Sequence, residues 1–372
     1  MSVLPAITDV ESVAQENSAT APTSSKWLFS APVDLAAFLG SALLSLVLLA
    51  VGARLGILHS DSPDWTWIIA VMLVDVAHVH ATAFRVYFDP EELRRRPLLY
   101  AAVPLAGYLL GVALYSQGML TFWRTLAYVA VFHFVRQQYG WVALYRNRCG
   151  ERDRVGWWID ATAVYAATLY PLLYWHTHLP RRFWWFLKDD FHEVPAAVLR
   201  IAFPIYVLAL SLYAVRTIYR ALVQRQWNPG KDIVVVTTAV CWYIGIVSFN
   251  SDYAFTVTNV IIHGIPYFVL VYWYRFQRAG EVETAAGHIP RIVGFISVLW
   301  LLAFAEELFW ERGIWQERSW LFGEPWDWGS AKLWLVPLLA LPQITHYILD
   351  GFIWRRRSNP GLVSLEQPRL EG

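Results

Sequence analysis

The chain breaks into ten stretches of about twenty mostly apolar residues, the length that carries an α-helix across a bilayer. They run over 33–58, 65–88, 97–115, 121–145, 156–175, 196–220, 231–249, 252–275, 289–310 and 332–354. The fold class they imply is all-α: a multi-pass transmembrane helix bundle of about ten spans. Composition supports this. Hydrophobic residues reach 57% and charged residues only 16%, against about 25% charged in an ordinary soluble chain. A surface that apolar cannot be hidden in water. The net charge is +1, which provides no electrostatic footprint for nucleic acid.

The organisation follows from the spans. Residues 1–32 read as a disordered tail, rich in Ser, Thr and Ala, without the basic start and short apolar core of a cleaved signal peptide. The first apolar run then acts as an uncleaved anchor. Residues 33–354 form one transmembrane domain, and 355–372 a cytoplasmic tail. No internal repeat is visible, and the loops are too short for a soluble domain. Cys149 lies in a basic loop and Cys241 in an apolar run, so no disulfide framework is implied.

Orientation follows from Lys and Arg in the connections. Those after even-numbered spans, with the C-terminal tail, hold nineteen, among them Arg94–Arg96, Arg146, Arg148, Arg152, Arg154, Arg216, Arg220 and Lys231. Those after odd-numbered spans hold five: Arg181, Arg182, Lys188, Arg312 and Arg318. Both termini are therefore expected in the cytoplasm, across a cell membrane that is most simply a bacterial inner membrane. The two long outer loops, 176–195 and 311–331, are rich in Trp and Phe and read as interfacial helices on the outer leaflet, where a ring and a polar edge are both satisfied. A lid over a lipid entrance is the sharper alternative.

Ten histidines are present. Five of them, His78, His80, His133, His263 and His346, lie deep in apolar runs, where an ionisable side chain is a functional hypothesis by default. All five are on even-numbered spans, which run in one direction. At 1.5 Å per residue, His78, His133, His263 and His346 lie about 17–21 Å from the outer end of their spans. Four helices thus bring an imidazole to one level. Each has a polar neighbour one turn away on the same face: Asp75 for His78, Gln137 for His133, Asn259 for His263, and both Gln343 and Asp350 for His346. A metal-binding imidazole usually gives its second nitrogen to such a group; the carboxylates are alternatively ligands themselves, as in the Glu-x-x-His pattern of di-iron bundles. A single buried histidine is commonly a hydrogen-bonded core residue. His80 fits that description, pointing about 200° around the helix from His78, or it is a further ligand on a distorted helix.

The expected metal set is therefore His78, His80, His133, His263, His346, Asp75 and Asp350. Arg136, Gln137 and Asn259 are the candidate catalytic residues. Imidazole suits Fe, Cu, Zn and Ni. The lack of any Cys or Met box argues against soft copper, and the lack of His-Glu-x-x-His against a zinc hydrolase. Non-haem iron, mono- or dinuclear, is the first expectation. Haem b between paired histidines is the second. Asp160 near an inner helix end could also face the site. Glu306 and Glu307 read as interfacial, and the outer His176, His178, His192, Asp189 and Asp190 as a surface cluster. Arg136, too deep to snorkel, could pair with Asp75 or Asp350.

On these histidines and their Asp, Asn and Gln neighbours the chain resembles, at the level of general plan, the histidine-rich integral-membrane non-haem iron oxygenases and desaturases. It departs from fatty-acid desaturases and hydroxylases in lacking their His-x-x-x-His and His-x-x-His-His boxes. In carrying few histidines, one per helix, it is nearer to the bacterial carotenoid-cleaving membrane dioxygenases, though without their local motifs. The resemblance implies an oxidoreductase acting on a membrane lipid or isoprenoid, with an electron donor as a possible partner. The competing expectations are a haem electron carrier working between quinone and a partner, and a transporter with Asp75, His78 and Asp350 as a proton relay.

Overall fold

A computed structural model describes residues 26–59, 61–276 and 285–355. Most of the N-terminal and C-terminal tails expected from the sequence lies outside the described residues. The described chain folds into ten long helices without a strand among the described residues. They are α1 (Ala31–Leu55), α2 (Asp64–Arg85), α3 (Pro97–Ser116), α4 (Met119–Arg148), α5 (Arg154–Thr177), α6 (Ala196–Leu222), α7 (Pro229–Ser248), α8 (Asp252–Phe276), α9 (His288–Trp315) and α10 (Gly329–Ile353). Eight have the length and apolarity of a membrane span. The sequence count of ten includes α4 and α5, which are as long but more polar: α4 carries Arg124, Arg136, Gln137 and Gln138, and α5 carries Asp160 among Trp and Tyr. The all-α multi-pass bundle stands.

Local chemistry sets the helix starts. Ser30, Asp153, Asn228 and Ser251 each accept the backbone N–H three residues on, at 3.4, 2.8, 3.3 and 3.1 Å, which satisfies an orphan donor of the first turn. Proline opens α3 and α7, where its missing N–H costs nothing.

α8 is the central helix: 83% of its span is buried, against 11% for α6 and 17% for α3 at the periphery. Small residues let neighbours reach it. A Cβ on Gly52 of α1 would stand 2.3 Å from the Tyr253 ring, and one on Gly264 of α8 would stand 2.6 Å from Val74 of α2. Wide π turns interrupt α2 at Trp67–Val76 and α8 at Thr256–Val260. α10 breaks at Ala340, between Pro337 and Pro342.

The first outer loop corrects the expectation of interfacial helices. Phe183 and Phe191 are buried against Trp175. The Asp190 carboxylate accepts the N–H groups of Trp185, Phe186 and Leu187 at 2.8, 2.7 and 3.3 Å, curling the segment into the bundle. Burial raises the Asp190 carboxyl above its ordinary value, against the pull of those N–H groups. The second loop extends α9 to Trp315 and adds one short turn, Ser319–Phe322. Phe183, expected in the headgroup layer, is instead core, whereas Trp184 and Trp320 stay exposed.

At the arginine-rich end, four helices and a loop share one buried ionic network. Asp160 of α5 binds Arg146 of α4, Lys231 of α7 at 3.0 Å and Arg216 of α6 at 3.5 Å. Glu151, in the α4–α5 loop, binds Lys231 at 2.8 Å, Asn228 at 2.8 Å and Arg220. Asp160 therefore belongs to the scaffold and does not face the histidines.

Candidate metal centre

Four of the five deep histidines meet. His78 of α2, His133 of α4, His263 of α8 and His346 of α10 are all buried, at 4% exposure or less. Each offers one ring nitrogen, and the four nitrogens lie within 4.8 Å of one another. His78 Nε2 and His263 Nε2 are 3.1 Å apart, as are His133 Nε2 and His346 Nε2. Metal–nitrogen bonds of about 2.0–2.1 Å put adjacent ligand nitrogens about 2.9–3.4 Å apart, so both pairs have the spacing of ligands on one ion. Irregular backbone precedes three of the four histidines, although α1, α7 and α9 carry π turns as well. The π turn of α2 ends two residues before His78, that of α8 three before His263, and the break in α10 six before His346. Such widened turns recur at functional sites because they re-aim a side chain.

The outward ring nitrogens face a polar shell. Thr82 Oγ1, one turn below His78, lies 2.8 Å from His346 Nδ1. Asp350 sits between two ligands, with Oδ2 3.9 Å from His133 Nδ1 and Oδ1 3.8 Å from His346 Nδ1. Its Oδ1 accepts the Tyr267 hydroxyl at 2.7 Å and the Trp354 indole at 3.2 Å. Asp75 Oδ1 is 3.5 Å from His78 Nδ1. Phe134 stacks on the His263 ring at 3.4 Å and 11°, and the Tyr347 ring lies 5.0 Å from that of His133. Both carboxylates thus stand behind the imidazoles, in the place of groups that fix a ligand's tautomer and orientation.

The remaining expected residues are placed differently. His80 Nε2 turns to Glu306 Oε2 at 2.9 Å, outside the four-histidine group. Gln137 Nε2 donates to the His263 carbonyl at 2.8 Å, tying α4 to α8. Asn259 donates to Phe255 O and Thr258 Oγ1 of its own helix, at 3.1 and 3.0 Å. Arg136 is exposed on the far side of α4, donating to the Tyr165 hydroxyl; it pairs with neither Asp75 nor Asp350. Glu306 and Glu307, expected at the interface, are buried. Glu306 accepts from Gln343 and, at 3.0 Å, from Trp310. Of the outer set, His176 binds Tyr128 and His178 stacks on Tyr174; among the described residues only the four deep histidines are grouped closely enough to hold a metal ion.

Thr82 and Tyr267 were missed from sequence, although each lies four residues after a ligand and so on its face. Glu306 had no such signal. The geometry also bears on haem: a macrocycle uses the four equatorial positions and leaves two axial ones, whereas here four imidazoles crowd one point with 3.1 Å between paired nitrogens.

Comparison with protein-family models, with curated proteins and with solved structures yields no match for this chain.

Proposed function

We propose that the protein is an integral-membrane, metal-dependent oxidoreductase that acts on a lipid or isoprenoid at an intramembrane iron held by His78, His133, His263 and His346. The convergence of four imidazoles from four helices carries this reading. Each nitrogen pair alone would suit a hydrogen bond, but four buried lone-pair donors gathered at one point suit a shared cation. Nitrogen ligands backed by carboxylates, with no thiolate or thioether among them, favour iron over copper.

An iron held there supplies redox chemistry. The chain's own residues do the rest. Asp350, positioned by Tyr267 and Trp354, and Thr82 orient the imidazoles; Phe134 and Tyr347 close the centre against water. An apolar substrate is supported by a cavity of about 400 Å³ between α3, α4 and α10. Ala106, Gly107, Leu126, Val129 and Ile348 are among its lining. Val129 and Leu126 lie one and two turns from His133 on the same face of α4, so a chain held there runs along the helix that carries a ligand. Electrons reach the site from a partner protein or carrier.

The test is metal analysis with an absorption spectrum on the purified protein. One iron per chain without a Soret band is expected, together with loss of iron in His263→Ala while the variant still inserts in the membrane. A Soret band, no stoichiometric metal, or full iron content in His263→Ala would overturn the reading.

A further inference from the structure

Arg136 has no role at the histidines, and its surroundings point elsewhere. It is exposed on α4, twelve residues and so about 18 Å from the end of the helix at Arg148. Its guanidinium bonds the Tyr165 hydroxyl and lies 4.9 Å over the Tyr139 ring. Tyr139 and Tyr165 stack at 5.3 Å and 14°. Among the described residues no carboxylate pairs with Arg136. A cation on a lipid-facing surface at that depth is costly unless an anion or a polar path to the interface reaches it.

That path exists. Arg136, Tyr139, Ala143 and Asn147 form one stripe down α4. Its lower part lines a second cavity of about 400 Å³, bounded also by Arg152, Arg154 and Trp157 at the start of α5. Arg152 and Arg154 are exposed and form no ion pair among the described residues. The acids nearby are already committed: Glu151, Asp153 and Asp160 pair with Arg146, Lys231, Arg216 and Arg220. The Trp157 indole donates to Tyr139 at 3.0 Å, an aromatic rim of headgroup-layer type. Above Arg136 the groove turns apolar. Phe132, one turn up α4, is 65% exposed, and Leu169, one turn beyond Tyr165 on α5, is 46% exposed.

The groove therefore grades from two unpaired arginines, through a guanidinium and tyrosine hydroxyls, to hydrocarbon. We infer that the α4–α5 groove is a binding site for an anionic phospholipid, with its phosphate at Arg152 and Arg154, its polar backbone toward Arg136, and its acyl chains along Phe132 and Leu169. Basic pockets between transmembrane helices take acidic headgroups by this chemistry. A soluble phosphate would satisfy Arg152 and Arg154 but leave the apolar upper groove and Arg136 uncovered. The inference does not depend on the metal centre.

Native mass spectrometry after incubation with equal amounts of phosphatidylglycerol and phosphatidylcholine tests it. The wild-type protein is expected to retain phosphatidylglycerol preferentially, by about fivefold for each arginine engaged. The double variant Arg152→Gln, Arg154→Gln should fall to near parity, and Arg136→Gln should lose part of the preference; both should keep the wild-type thermal midpoint. Equal retention of the two lipids by the wild type, or an unchanged preference in both variants, overturns the proposal. If excess inorganic phosphate displaces the lipid and itself stays bound, the site takes a free anion and the lipid assignment fails.

Discussion

Asp350 shows how a single side chain can govern the centre without being a ligand. Its two oxygens face the outer nitrogens of two imidazoles, at 3.9 and 3.8 Å, while Tyr267 and Trp354 hold it in place. Removing its charge leaves both rings in position but takes away what favours Nε2 as the metal-facing atom. Asp350→Asn is therefore expected to weaken iron binding by about 10–100-fold, read by chelator competition, with the helical content unchanged. Unaltered affinity would show that the carboxylate only packs. The convergence of the four histidines was legible because depth is arithmetic: four histidines at matched distances along parallel helices must share a level. Their shell was half legible. Asp75 and Asp350 lie three and four residues from a ligand and fell where helix geometry puts them. Arg136 and Asp160 did not, because depth gives no azimuth; whether a residue faces the centre or the lipid depends on helix rotation, which packing sets.

At the scale of the element, the histidine cluster depends on how closely α2 and α8 approach. A Cβ added at Gly264 would stand 2.6 Å from Val74 Cγ1 and 3.2 Å from the Val74 carbonyl oxygen. Gly264→Val therefore has to push the two helices apart, at a cost of about 1–3 kcal/mol, and that movement separates His78 from His263, now 3.1 Å apart. The expected outcome is a lower thermal midpoint together with lost iron. Gly294→Ala, where nothing lies within 4 Å, should change neither. Adding Val74→Ala should restore part of the iron, since the nearest atom in the clash is then gone; no rescue would place the damage elsewhere. The existence and bounds of these helices were legible as apolar runs. Their π turns were not: one extra residue per turn leaves no trace where every face of a helix is apolar. The first outer loop was misjudged for a related reason. Aromatic composition suits a headgroup layer and a core equally, and the Asp190 turn that selects the core is made by backbone N–H groups.

The whole molecule joins two polar systems of opposite design. In the middle, histidines and carboxylates surround a point suited to a cation; at the arginine-rich end, the network around Glu151 and Asp160 clamps α4, α5, α6 and α7 together. The second system sets a pH limit on the fold. Burial works to raise the Glu151 carboxyl, but Lys231, Asn228 and Arg220 outweigh it and hold the group below its ordinary value of 4.5. A carboxyl lowered in the folded state stabilises the protein fully above its unfolded value, and that stability is lost as pH falls through the folded value. The thermal midpoint in detergent should thus stay level from neutral pH to about pH 5 and decline below pH 4.5. Glu151→Gln removes the anion at every pH and leaves Lys231 and Arg220 buried beside a neutral amide. Its midpoint should be lower at neutral pH, by the equivalent of about 3–5 kcal/mol for a broken buried pair, and should approach the wild-type curve as the solution is acidified. Parallel curves for the two proteins would mean that Glu151 does not carry the acid limit. Iron content per folded chain should be the same in both, because none of the network's residues touches the four histidines.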